Sequence, residues 1–115
     1  TMVYSIVKIM HQHFDEYKNN APGGTGWRMD RQKFDQGFLP YHPGAIRYYK
    51  EIGQWSPAAE AQNQSNLNRQ QVLLDAWASF FPGAPQGYSE FEQAWLVARS
   101  EALEAAGLIT LGTGL

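Results

Sequence analysis

Apolar residues recur at intervals of three and four along most of this chain, the period of an α-helix with one buried face. Val3, Ile6, Val7, Met10, Phe14 and Tyr17 predict an amphipathic helix over residues 2–18, with Thr1 as its cap. Ile46, Tyr49 and Ile52 predict a second helix, started by Pro43 and stopped by Gly53. Pro43 also holds His42 extended. Ser56 and Pro57 open a third pattern that runs to Phe81. Its first half is polar (Gln62, Asn63, Gln64, Ser65, Asn66) and must draw stability from packing or partners. Its second half carries Val72, Leu73, Ala76, Trp77 and Phe80. A fourth helix, over residues 90–106, follows a capping-box spacing at Ser89 to Glu92 and ends at Gly107.

Between these patterns lie breaker-rich stretches. Pro22, Gly23, Gly24 and Gly26 make one loop; Pro82, Gly83, Pro85 and Gly87 make another. Asp30 is placed to cap a short helix from Arg31 to Gln36. The tail from Leu108 to Gly112 either docks or extends as a lone strand. No alternating strand pair is present. The pattern therefore predicts an all-α fold, an irregular bundle of about four main helices and one short one, divided into residues 1–81 and an additional helical hairpin and tail at 82–115 of unassigned role.

Composition narrows function mainly by exclusion. A net charge of −2 and no basic stripe argue against nucleic acid as a partner. The absence of cysteine excludes disulfides, thiol catalysis and cysteine-ligated zinc. No apolar run has the length of a membrane helix. Aromatic content of 14% with four tryptophans is high, and such side chains serve cores and interfaces alike.

No catalytic constellation emerges, and the chain is read as non-enzymatic, with no cofactor and no metal. His11 and His13 are two apart and point in different directions on a helix, where a zinc pair needs four-residue spacing. The Gly23–Gly26 run follows no strand and precedes no lysine, so it is a turn and not a phosphate loop. Asp15 and Glu16 splay apart. Arg47 and Arg69 have the chemistry to hold a carboxylate bidentately, or to pair inside the fold.

The wording of the chain carries more than its composition. Pro40-Tyr41-His42-Pro43-Gly44-Ala45-Ile46-Arg47-Tyr48-Tyr49-Lys50-Glu51-Ile52-Gly53 resembles the C-terminal signature of the TAXI family of TRAP-transporter solute-binding proteins. Val3-Tyr4-Ser5-Ile6-Val7-Lys8 resembles a helix of the same family, and scattered words through Trp77 resemble the tail of one subgroup, over residues 3–80 in all. The resemblance implies an extracytoplasmic, periplasmic receptor whose two α/β lobes close on a small organic acid or amino acid such as glutamate. Those lobes lie N-terminal to this segment in family members, as does the export signal, so the chain is expected to be the C-terminal part that braces them. Its implied partners are those lobes and the membrane subunits of the transporter. Tyr41, His42 and Arg47 match the signature and are the ligand-binding candidates, with packing as their alternative role.

A free-standing oligomerisation module is the alternative function. Helix faces that lack their lobes expose apolar stripes and associate. Trp77, Phe80, Phe91 and Trp95 are the interface candidates for a homo-oligomer, while Trp27, in the glycine-rich loop, is not. The isolated chain is expected to bind no small organic acid with useful affinity, glutamate, glutamine and common dicarboxylates included, since two complete lobes are needed to enclose one.

Overall fold

The computed structural model describes residues 1–111. Its helices are α1 (Met2–Gln12), α2 (Phe14–Tyr17), α3 (Pro43–Glu51), α4 (Pro57–Phe80) and α5 (Tyr88–Ala105), with 3-10 turns at Gly24–Trp27, Met29–Arg31 and Phe81–Gly83. No strand is present among the described residues, so the all-α expectation with about four main helices holds. The chain divides into two compact units, Thr1–Gln64 and Ser65–Leu115.

In the first unit α1 packs on α3. Gly44 permits the approach: a Cβ there would sit 3.0 Å from the backbone nitrogen of Tyr4 and 2.8 Å from the Thr1 hydroxyl oxygen. His42 caps α3, its Nδ1 accepting the Gly44 N–H at 2.9 Å. Gly53 ends α3 at φ 71°, with its N–H on Lys50 O and that of Gln54 on Tyr49 O, the paired bonds of a Schellman stop.

Two cores flank α3. Tyr48 is only 2% exposed and points toward α1. Tyr49 belongs to an aromatic box with Phe34, Tyr41 and Trp55, in which it stacks on Trp55 at 6.3 Å and lies 4.4 Å from Phe34. The polar start of α4 ties the preceding loop to this unit. The buried Asn63 accepts the Tyr41 N–H at 2.8 Å through its Oδ1, and Gln62 donates to Gly37 O at 2.9 Å. Ser56 caps α4 through Ala59 N–H, as its position predicts.

In the second unit the C-terminal part of α4 and α5 form an aromatic hairpin around Trp77, and Leu103 is fully buried. Gly107 stops α5 with the same paired bonds, from Gly107 N–H to Glu104 O and from Leu108 N–H to Leu103 O. The tail docks: Arg69 donates to Ile109 O and Arg99 to Leu111 O. Residue 112, the end of the predicted tail segment, lies outside the described residues.

Local expectations are corrected in three stretches of the chain. The helix over 2–18 breaks at His13 (φ −105°, ψ 18°), and α2 folds back so that the Tyr17 hydroxyl donates to Met10 O, filling one of the carbonyls that a helix end leaves open. Thr1 precedes α1 without a side-chain capping bond. The helix predicted over 31–36 is a single 3-10 turn at Met29–Arg31. Asp30 pairs with Arg28 at 2.7 Å instead of capping, and the Gln32 amide donates to Arg28 O, leaving Phe34 free to enter the aromatic box. Finally, α5 starts at Tyr88 with Gly87 as its cap residue, so Ser89 lies inside the first turn. The Glu90 carboxylate occupies the space beside Gly87 that a Cβ would need.

Candidate functional site

In the first unit a polar cluster lies on the α1–α3 seam. Tyr4 and Lys8 are four apart on α1, as are Arg47 and Glu51 on α3, so each pair shares a face. Tyr4 donates its hydroxyl to Glu51, and Lys8 Nζ donates to both Tyr4 Oη and Glu51 Oε1 at 3.2 Å. The Arg47 guanidinium lies over the Tyr4 ring, 4.5 Å from its centroid. The Tyr4 hydroxyl, and after it the Lys8 ammonium, hold the Glu51 carboxyl below its ordinary range, and bonds from Tyr4 and Glu51 raise the Lys8 ammonium. Both groups are therefore fixed in their charged forms. These bonds join α1 to α3.

One turn further, His11 Nδ1 lies 2.8 Å from the Tyr48 hydroxyl. His11 also stands between two hollows. An open one of about 640 Å³ is lined by His11, Asp15, Lys18, Thr25, Arg28 and Asp30 among others. A smaller one of about 130 Å³ is lined by Val7, Met10, Tyr17, Trp27, Met29 and Tyr49, with His11 and Gln32 completing it.

The sequence-level candidates are dispersed. Tyr41 sits in the aromatic box, where burial raises its phenol. His42 is engaged as a helix cap, and Arg47 lies on Tyr4. The three do not line either hollow. In the second unit, the four interface candidates meet one another: Trp77 lies 4.9 Å from Trp95 and 5.9 Å from Phe91, and Phe80 lies 5.4 Å from Phe91. Sequence reasoning missed the Tyr4–Lys8–Glu51 cluster, although the four-residue spacings within α1 and α3 are its signal. It also missed the hollows, which are formed by loop conformation around Gly24–Arg31. Among the described residues no group of three His, Asp or Glu is placed to hold a metal ion, and no helix is long and apolar enough to cross a membrane.

At the aromatic box, Glu60 receives the Trp55 indole N–H at 2.7 Å, the Gln64 amide at 3.1 Å and Lys50 Nζ at 3.2 Å. The Trp55 bond, followed by those from Gln64 and Lys50, lowers its carboxyl from 4.5 to about 2. A depressed folded-state value means that the stabilisation is complete above about pH 4.5 and is lost as pH falls toward 2. The indole N–H resonance of Trp55 is expected to shift in that window, and to be indifferent to pH there in Glu60→Gln. A wild-type titration centred near 4.5 contradicts this arrangement.

Residues 1–53 match the profile of the NMT1-like family, a periplasmic binding and transport-related family. The match covers α1, α2 and α3 and ends at the Gly53 stop. No curated protein and no solved structure matches the chain.

Proposed function

We propose that the first unit is the C-terminal brace of an extracytoplasmic, periplasmic solute-binding receptor of the TRAP type, close to the TAXI family, serving uptake of a small organic acid or amino acid. The observation that carries this reading is the NMT1-like match, which falls on the helices bearing the TAXI-like wording. The geometry supports a non-catalytic brace. Charges on α1 and α3 are locked in a clamp, and Tyr41, His42 and Arg47 have structural partners. The partners in this reading are the receptor's ligand-binding lobes and the transporter's membrane subunits.

The test places Lys8→Ala, Glu51→Ala and the double substitution in the intact receptor expressed with its membrane subunits. A brace predicts lowered receptor Tm and lowered solute uptake with an unchanged Kd for the solute. An unchanged Tm and uptake in all three variants refutes it.

The alternative, an oligomerisation module, is favoured by one observation. Leu67, Leu74 and Phe81 are exposed at seven-residue intervals on and just beyond α4, outside the matched segment. If this stripe joins copies, sedimentation equilibrium shows a dimer that Leu74→Gln weakens by tenfold or more. A single 13.0 kDa species at every concentration rejects it.

A further inference from the structure

We propose that the first unit carries a binding site for a small aromatic zwitterion, a free aromatic amino acid, formed by the two hollows that share His11 and Met29. The site lies wholly within one unit and does not rest on the receptor reading.

The smaller hollow sets the apolar part of the ligand. At about 130 Å³ it approaches the ~150 Å³ of an apolar cavity that takes up benzene. Its walls are Tyr17, Trp27, Tyr49 and the thioethers of Met10 and Met29, groups that favour an aromatic guest through ring–ring and sulfur–ring contact. The lining is already relieved of competing demands. The Tyr17 hydroxyl is tied to Met10 O, and Tyr49 is backed by Phe34 and Trp55.

The larger hollow sets the head group. Lys18 and Arg28 face Asp15 and Asp30 across its lining, two cations and two anions. They rest as the pairs Lys18–Asp15 and Arg28–Asp30, at 2.5 and 2.7 Å, all partly exposed. Exposed pairs of this kind are weakly held and exchange partners at little cost. A lone carboxylate entering here meets two like charges, and a lone ammonium meets two others. A zwitterion satisfies both signs, its carboxylate on Lys18 or Arg28 and its ammonium on Asp15 or Asp30. His11 stands where ring and head join; Tyr48 holds its Nδ1, which leaves Nε2 to meet the ligand.

Isothermal titration of the 115-residue chain tests the site. L-Phenylalanine is expected to bind saturably with Kd at or below about 1 mM. 3-Phenylpropionate and phenethylamine, each lacking one charge, are expected at least tenfold weaker, and glutamate silent. Trp27→Ala removes a wall from a side chain that is 62% exposed, so the fold should persist. It is expected to weaken phenylalanine at least tenfold, Trp27→Phe to restore most of the loss, and Tyr88→Ala, at an 84% exposed position outside both hollows, to change nothing. No saturable heat with phenylalanine overturns the proposal, as does phenylpropionate binding equally well or affinity indifferent to Trp27→Ala.

Discussion

Replacing Tyr48 with alanine is expected to destabilise the first unit by about 3–5 kcal/mol, the range for deleting a large buried aromatic. Tyr48 is 2% exposed and is the ring on which α1 and α3 meet. Tyr4 approaches it edge-on at 5.8 Å, and the His11 ring does so from two turns further along α1 at 5.8 Å. Its hydroxyl bonds His11 Nδ1. Alanine removes all of these at once and leaves a void that α1 cannot fill without leaving its register on Gly44. Tyr48→Phe separates the ring from the hydroxyl. It keeps the packing and loses one hydrogen bond, whose net worth is about 0.5–1.5 kcal/mol, and His11 is exposed enough to recover a bond to water. Urea melts followed by far-ultraviolet circular dichroism measure both. A Tyr48→Ala loss no larger than that of Tyr48→Phe shows that the ring does not hold the helix pair.

The signature wording around Tyr48 reveals its helix but not its partner. Periodicity places Ile46, Tyr49 and Ile52 on one side of α3 and leaves Tyr48 out of that stripe. In the structure α3 has packing partners on two sides: Tyr48 is buried toward α1, and the half-buried Tyr49 packs in the aromatic box. A nine-residue helix with one apolar stripe is easily read as having one buried face; adjacent tyrosines serving two cores leave no period to detect. Stop signals were legible because they are local. Gly53 and Gly107 supply the left-handed residue that the paired terminal bonds require, and proline and serine at 56–57 start α4. Breaks that arise from distant contacts were not legible. The end of α1 at His13 is tied to the Tyr17 hydroxyl reaching Met10 O, and the failure of the 31–36 helix to Phe34 entering a box built from three later segments. The hollows beside His11 follow from those same breaks, which is why the sequence showed their residues only as scattered charges and a glycine-rich turn.

In the second unit the largest expected effect belongs to Trp77. It touches Phe80 and Phe81 on its own chain segment and Phe91 and Trp95 on α5, with ring centroids between 4.9 and 6.1 Å. The edge-to-face meeting with Trp95, at 87°, joins the two arms of the hairpin. Aromatic pairs of this geometry add about 0.5–1.5 kcal/mol each beyond area burial. Full burial would place Trp77→Ala at about 3–5 kcal/mol. Trp77 remains 37% exposed, so part of its surface is never taken from water and the expected loss is about 2–4 kcal/mol. Trp77→Phe keeps a ring against Phe91 and Trp95 and should cost roughly half as much. Trp27→Ala, at an exposed turn position, should stay within about 0.5 kcal/mol. The measurement is urea denaturation of the three variants, with near-ultraviolet circular dichroism to report the Trp77–Trp95 pair. If Trp77→Ala is as mild as Trp27→Ala, the rings do not hold the hairpin closed. They are then available to a second copy of the chain, and a concentration-dependent mass in sedimentation should accompany the mild loss.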